Sequence, residues 1–255
     1  MTVNDETGKR TSNGVAVVTG GGSGIGRELC RLAAQAGLAV AIIDVNADAV
    51  QTVAAQIGAD GARALALTCD ISDPAQVSAT IAQVVATLGE PTALFNVAGI
   101  VRYSRVEQTD VAVFNRLLAV NLTGAFLMSQ ATLPYLVKHR GAIVNVSSMA
   151  GSLGVPYAVA YSASKGGLIA MTKSMAKEFA DRGVRINVLT PGGVITPMAE
   201  VPFPEDANMG VVAFAPPTPL GFSEPADIAR LALSVATQAF GQLSGAVIAV
   251  DGAST

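Results

Sequence analysis

The chain has 255 residues, 51% of them hydrophobic and 14% charged, a balance that can bury a sizeable core and excludes the disordered class. Sixteen Lys and Arg against nineteen Asp and Glu leave a net charge of −3 with no basic block, which argues against a nucleic-acid footprint. Aromatic residues are 5%, Trp is absent and Gly reaches 26, a mix that suits an α/β sheet protein better than an aromatic-rich β-sandwich.

Residues 1–13 are polar, carry charges of both signs and contain no apolar run, so a flexible tail is expected there rather than a signal peptide or an anchor. From residue 14 to 255, short runs rich in Val, Ile and Leu alternate with longer Ala-rich stretches of helical spacing. That is the pattern of a parallel sheet covered on both faces. Strands are expected at Val15–Thr19, Ala39–Asp44, Ala64–Thr68, Ala93–Asn96, Ala142–Ser147, Arg185–Thr190 and Ala246–Val250. Helices are expected near Ile25–Ala36, Ala47–Ile57, Pro74–Leu88, Val111–Val137, Val159–Arg182 and Pro225–Thr237. Asp73-Pro74 and Glu224-Pro225 each mark a helix entry. No repeat or low-complexity linker interrupts the order, so the reading is one doubly wound Rossmann-type domain with a seven-stranded parallel sheet.

Two segments stand out from this frame. Between Arg116 and Lys138 the chain carries no charge and approaches the ~20 residues that span a bilayer. Asn121, Thr123, Ser129, Gln130 and Pro134 interrupt it, which favours a helix packed on the sheet or a partner subunit over a membrane span. From Pro197 to Phe222, six prolines (Pro197, Pro202, Pro204, Pro216, Pro217 and Pro219) are mixed with Phe, Met and Val. A connection of that length and apolar content is expected to be a substrate lid over about 197–222.

The inventory of reactive side chains is short. His139, the only histidine, lies in the polar run Lys138-His139-Arg140-Gly141, leaving neither a His metal cluster nor a Ser-His-Asp triad. Cys30 and Cys69 are far apart with no Cys-x-x-Cys, which fits two buried thiols in a reducing compartment, here the cytoplasm.

Four constellations carry chemistry. Thr19-Gly20-Gly21-Gly22-Ser23-Gly24-Ile25-Gly26 follows the first strand and opens the first helix, where glycines let the backbone approach a pyrophosphate and helix-start N–H groups face its charge. A plain tight turn is the competing reading of such a cluster. Asp44 ends the second strand eighteen residues after Gly26, where a carboxylate can accept hydrogen bonds from an adenosine ribose and repel a 2′-phosphate. Neither Ser23 nor Val45 supplies a cation for that phosphate, so NAD is favoured over NADP; a helix-cap role is the alternative for Asp44. Tyr161-Ser162-Ala163-Ser164-Lys165 places a phenol and an ammonium four residues apart on one helix face. A neighbouring Lys⁺ favours phenolate and would bring the phenol toward working pH for acid-base catalysis. Ser147-Ser148 ends the fifth strand and faces the same crevice, where either hydroxyl can hold a substrate oxygen or serve as a turn residue.

Taken together in order and spacing, these motifs resemble the short-chain dehydrogenase/reductase family over Gly14 to Asp251. Asn96-Val97-Ala98-Gly99, Asn121, Asp70-Ile71 and Pro191-Gly192 with Thr196 complete the likeness. The resemblance implies Tyr161 as acid-base, Lys165 as the group that lowers its pKa and holds the nicotinamide ribose, Ser148 rather than Ser147 as the group polarising the carbonyl, and Asn121 as the holder of a relay water. It implies a cofactor footprint of Gly20, Ser23, Gly24, Ile25 and Gly26 in the turn, Asp44 and Val45 after the second strand, and Cys69, Asp70 and Ile71 after the third. Asn96, Ala98 and Gly99, then Tyr161 and Lys165, then Pro191, Gly192, Val194 and Thr196 complete that footprint. It also implies a homotetramer or homodimer.

Two departures are visible. Val97 replaces the second Asn of the family's Asn-Asn-Ala-Gly, and Ala253 stands where a second terminal Gly is usual, so the final turn is expected to differ. Ile100 to Tyr103, Met149 to Leu153, Pro156-Tyr157, Gly193 to Ile195 and the lid are the expected pocket walls. Their apolar character favours a hydrophobic secondary alcohol or ketone such as an alicyclic, steroid or terpenoid ring. Arg102 and Arg105 leave 3-oxoacyl thioester reduction open. A dinucleotide-sensing regulator on the same fold is the rival of another class, and the retained Ser148, Tyr161 and Lys165 weigh against it.

Overall fold

A computed structural model of the chain describes residues 14–212, 221–237 and 240–254. The expected tail at 1–13 and the part of the expected lid at 213–220 lie outside the described residues. Seven parallel strands, β1 (Val15–Thr19), β2 (Ala39–Asp44), β3 (Ala64–Thr68), β4 (Ala93–Asn96), β5 (Ala142–Val146), β6 (Arg185–Pro191) and β7 (Val247–Val250), form one sheet. Their order is β3-β2-β1-β4-β5-β6-β7. The order reverses direction between β1 and β4, and the carboxyl ends of those two strands open the crevice where ligands of such sheets bind.

The strands pair in register from Val15 with Ala39 and from Ala16 with Ala93, so successive side chains face opposite layers. Val18, Val40, Ile42 and Phe95 face a core closed by Leu29 of α1 (Gly24–Gln35), Val50 and Val53 of α2 (Ala47–Ala59) and Ile228 of α9 (Pro225–Thr237). Val17, Ile43, Leu94 and Ile143 face a second core closed by Ile81 of α3 (Pro74–Thr87) and by Met128 and Leu136 of α5 (Ala125–His139). This two-sided burial is why β1, β4 and β5 are almost wholly apolar, with only Thr19, Asn96 and Asn145 breaking the runs.

Helix entries behave as their residues dictate. Asp73 precedes α3 and accepts from the N–H groups of Ala75 and Gln76 while Pro74 fills the first helical position. The expected single helix from Val111 is continuous but changes pitch: α4 (Val111–Leu118) passes through a π-helical stretch, Ala119–Gly124, into α5. Such a bulge is a frequent mark of a functional position. By length and composition Val111–His139 is apolar enough to cross a membrane, yet only 33% of its most apolar window is buried. Its polar residues Asn121, Ser129 and Thr132 are inside, against the sheet, and Phe126 and Val111 are outside.

After β5 come α6 (Ala150–Leu153) and α7 (Val159–Glu178), the latter ending before the expected Arg182. The segment expected as a lid is partly regular, with a 3₁₀ turn at Pro197–Glu200 and α8 at Met209–Val212. Its base is pinned: Val194 bridges Ser223, with Ile195 N–H donating to the Ser223 carbonyl and Ser223 N–H to that of Gly193.

The final turn does carry a mark of its missing glycine. Ala253 sits at φ +67°, a left-handed conformation that its Cβ resists, held by the Asp251 carboxylate accepting from the N–H groups of Ala253 and Ser254. Ala253→Gly is expected to stabilise the fold by ~0.5–1 kcal/mol, the strain relieved being larger than the entropy that Gly adds to the unfolded chain. A denaturant midpoint that stays put or falls would contradict this.

Candidate active site

The crevice starts at the end of β1. Thr19 Oγ1 accepts from the N–H groups of Val97 (3.1 Å) and Ala98 (3.2 Å), tying the first turn to the end of β4. Gly20 has φ +69°, and a Cβ on it would lie 2.8 Å from the Ala98 Cα; a Cβ on Gly26 would overlap the Gly20 carbonyl oxygen. Only bare backbone fits at both, so the turn hugs β4 while α1 starts directly against it. Ser23, the residue before α1, makes no side-chain cap. The first N–H groups of a helix have no partner within it and here point along the turn, the standard arrangement for binding a phosphate. Ile25 is partly buried on the first core, and Gly24 touches Thr196, since a Cβ there would lie 2.9 Å from the Thr196 Cγ2. The loop after β6 therefore closes on the phosphate turn. Pro191, Gly192 and Val194 lead into it, with Gly192 N–H held by the Val250 carbonyl.

At the far end of the crevice, Asp44 Oδ2 accepts from Gly22 N–H (3.1 Å) and Oδ1 from Asn46 N–H (3.1 Å), so its carboxylate is fixed beside the glycine turn. Val45 is 63% exposed and brings no charge. Asp70 is clamped: its carboxylate accepts from the Ser72 hydroxyl and from Arg116 of α4 (2.9 Å), which hold it below the usual carboxylate range. The Arg116 clamp gave no local signal in the sequence. Ile71 packs against Gly124, and the Cys69 thiol is turned inward toward Thr80, where burial pushes it up. Both cysteines are buried free thiols.

Not every expected footprint residue turns its side chain to the crevice. Asn96 is 3% exposed, and its amide donates to Asn145 Oδ1 (2.9 Å), Ser129 Oγ and the Ala125 carbonyl. Its Oδ1 has no partner among the described residues. Asn145 continues the chain to Thr172 of α7 (2.8 Å), so Asn96 begins a buried polar ladder joining β4, β5 and the helix of Tyr161. Val97 packs against the first core instead of adding an amide.

The chemistry-bearing groups converge on the other side of the crevice. Tyr161 and Lys165 lie on α7, and Ser148 follows β5. Ser147 and Ser148 separate clearly: Ser147 is buried and donates to the Lys165 carbonyl (2.8 Å), whereas the Ser148 hydroxyl accepts from Ala150 N–H (3.1 Å) and lies beside Tyr161, whose ionised form it favours. Lys165 Nζ donates to the Val146 carbonyl (2.8 Å) and sits 5.8 Å from the Tyr161 ring centre. A Cβ on Gly99 would lie 3.3 Å from both Lys165 Nζ and Asn121 Oδ1, so this glycine is the floor on which the two meet. Asn121, in the π-helical stretch, accepts from Ile100 N–H (2.8 Å) and donates to the Ile100 carbonyl (2.9 Å) and to Ser164 (3.0 Å). Its side chain is thus engaged in shaping the loop after β4. Met198 Sδ, 4.0 Å from the Tyr161 hydroxyl, is a neighbour that sequence reasoning placed only in the lid at large.

The electrostatics correct one expectation. Burial pushes Tyr161 up to about 12, the Ser148 hydrogen bond opposes this and the nearby Tyr103 phenol adds to it. Burial likewise pushes Lys165 down from its ordinary 10.5 to about 8. In this ligand-free arrangement desolvation dominates, so the phenol is neutral at pH 7.

Beside the site, a cavity of ≈ 630 Å³ is lined by Arg105, Tyr157, Val159 and Ser162, among others, but not by Tyr161. Arg105 itself is not free: it donates to the Asp206 carboxylate (2.9 Å) and carbonyl (2.8 Å). His139 is remote, paired with Glu90. No group of three or more His, Cys, Asp or Glu positioned for a metal occurs among the described residues.

Residues 14–206 match the family model described as short chain dehydrogenase. The chain is 37% identical over 250 residues to 2-(S)-hydroxypropyl-CoM dehydrogenase 3 of Xanthobacter autotrophicus, covering 96% of this chain and 98% of that one. It is 36% identical over 248 residues to D-threitol dehydrogenase of Mycolicibacterium smegmatis, covering 96% and 94%. Among solved structures, 3-ketoacyl-(acyl-carrier-protein) reductase of Brucella melitensis complexed with NADH is similar with a TM-score of 0.85 at 28% identity, covering 95% of this chain and 98% of that one.

The lowered Lys165 has a consequence for stability. Between about 8 and 10.5 the unfolded chain holds a proton on this lysine that the folded chain has released, so folding gains stability as pH rises through that window. The stability difference between wild type and Lys165→Met is expected to shift in favour of the wild type from pH 8 to pH 10.5; a difference independent of pH would refute the assignment.

Proposed function

The chain belongs to the short-chain dehydrogenase family, and on that premise we propose that it is an NAD(H)-dependent oxidoreductase interconverting a hydrophobic secondary alcohol and its ketone. The observation that carries this reading is the convergence of the Tyr161 hydroxyl, Ser148 and Lys165 at the mouth of a crevice whose other end is a glycine cradle. The cradle suits a pyrophosphate because bare backbone and unpaired helix-start donors line it. In this proposal Gly20 to Gly26 hold the pyrophosphate, Asp44 the adenosine ribose, and Thr196 the side of the loop after β6. When bound, the nicotinamide accepts the hydride from the carbinol carbon or returns it.

The chain's own residues handle the proton. Ser148 donates to the substrate oxygen and fixes its distance from Tyr161. In oxidation the Tyr161 oxygen takes the hydroxyl proton as the carbonyl forms; in reduction it gives that proton to the nascent alkoxide. For either direction the phenol must come down from about 12 toward working pH, and positive charge next to it does this. Lys165, at about 8, is poised to be that charge and to pass a proton on.

NAD rather than NADP follows from charge. Asp44 is a fixed carboxylate where a 2′-phosphate would lie, and exposed Val45 offers no cation. Two charges 4 Å apart at the surface repel by several kcal/mol at an effective dielectric of ~20. The substrate class rests on the walls, where Tyr103, Met198 and Phe203 face the phenol side and Ile100, Leu153 and Ile195 are exposed around the crevice. The engagement of Arg105 with Asp206 weighs against an acyl-carrier contact there. For assembly, the outward apolar residues Val111, Phe126 and Val159 on the α4–α5 and α7 layer support burial against further copies of this chain, as a homotetramer or homodimer.

Two outcomes test the reading. Tyr161→Phe is expected to lower kcat by ~10²–10⁴-fold with NADH affinity within about twofold of wild type; retained turnover in NADH absorbance assays on secondary alcohols would reject the mechanism. Asp44→Ala combined with Val45→Arg is expected to shift the NADP to NAD ratio of kcat/KM upward by at least ~10-fold; an unchanged ratio would remove Asp44 from the cofactor site.

A further inference from the structure

A second set of contacts joins the loop after β4 to the segment that follows Pro197. Arg105 Nε donates to Asp206 Oδ2 at 2.9 Å and its terminal nitrogen to the Asp206 carbonyl at 2.8 Å, so it grips both side chain and backbone of that segment. The same guanidinium lies 5.8 Å from the centre of the Tyr157 ring, within cation–π reach. Tyr157 in turn accepts from Asn208 N–H through its hydroxyl at 2.8 Å, and its own backbone is held at φ +64° with its carbonyl accepting from Ser104 N–H. Three residues before Asp206, Phe203 stacks on Tyr103 with ring centres 4.1 Å apart and also meets the Tyr157 ring edge-on at 6.4 Å.

We propose that Arg105 is a positioning residue for substrate selection: through Asp206 it holds Phe203 against Tyr103, and this aromatic pair forms the outer wall of the space beside the Tyr161 hydroxyl. The proposal rests on the reading of that hydroxyl as the proton-transfer group. Its geometry is that of a strap. The segment is pinned at its base by the Val194–Ser223 bridge, carries Met198 over Tyr161, and is fastened at its outer edge by Arg105. The Arg105 side chain is 30% exposed and that of Asp206 66%, so water and salt reach the pair and it is weak enough to be broken and remade in each turnover. Because the grip engages the Arg105 guanidinium with Asp206, the space it closes favours uncharged ring substrates that contact Phe203 over small ones that do not.

The test uses the full-length enzyme with cyclohexanol as the ring substrate, 2-propanol as the small one, and the variants Arg105→Ala, Asp206→Asn and the charge exchange Arg105→Asp with Asp206→Arg. The two single variants are expected to raise KM for cyclohexanol about 2- to 5-fold, with kcat and the KM for 2-propanol little changed, and the exchange to recover part of the loss. In wild type the cyclohexanol KM should climb with added NaCl, and in both single variants it should not. Equal effects on both alcohols, no effect on either, or no recovery in the exchange would overturn the proposal. A readout free of turnover separates it from the function reading: amide exchange at 203–208 should be faster in Arg105→Ala than in wild type. If exchange speeds up but no alcohol is turned over by the wild type, the function reading fails and the strap stands; if exchange is unchanged, the strap itself is wrong.

Discussion

The α-carbon of Gly26 lies so close to the Gly20 carbonyl oxygen that nothing larger than hydrogen fits between them, and much of the site depends on that approach. It lets α1 begin after a four-residue turn from the end of β1, too short to carry the helix start away from the sheet. Thr19 extends the same constraint sideways, because its single hydroxyl oxygen holds two successive N–H groups at the end of β4. The two strands at which the sheet order reverses are thereby stitched across their carboxyl ends. The crevice is open because the connections leave in opposite directions, and rigid because these short contacts span it.

On the opposite side the governing interaction is the ladder from Asn96 through Asn145 to Thr172. Buried amides are costly unless paired, and a paired ladder permits only one sliding position of α7 on the sheet. That position fixes where Tyr161 and Lys165 emerge. Ser147 reinforces it from below by binding the Lys165 carbonyl, while the adjacent Ser148, accepting from Ala150 N–H, lies beside the phenol. Two neighbouring serines thus divide structural and site-facing work by pointing to opposite sides of one strand end.

Most of the frame was legible in the sequence because it rests on local signals. All seven strands lie within a residue of their expected bounds, since most are largely apolar runs that begin after or end at a Gly, Asp or Asn, and α3 starts at the Asp73-Pro74 cap. The Tyr161–Lys165 spacing and the glycine turn were readable for the same reason. What escaped was non-local or environmental. The Arg105–Asp206 grip joins residues 101 positions apart, and Arg116 reaches Asp70 across 46. The π-helical stretch at Asn121 leaves no periodicity break in an apolar run, and the inward turn of Asn96 depends on which side of β4 faces α5. The expected depression of Tyr161 also failed for an environmental reason: sequence spacing reports that Lys165 is near, but not how much water both groups lose.

That desolvation has a further consequence for how the site works under the proposed reading. At pH 7 a phenol held near 12 is neutral while an amine near 8 is mostly protonated, so the ligand-free crevice holds one buried cation, steadied by the Val146 carbonyl, beside an un-ionised acid. Such a pair is not switched on by folding. It is switched on by whatever brings further positive charge next to the phenol and so offsets its desolvation, which makes binding and activation one event. The weak strap at Arg105 fits this order, because a wall that opens readily admits the ligand before the phenol is brought toward working pH and closes once it is bound.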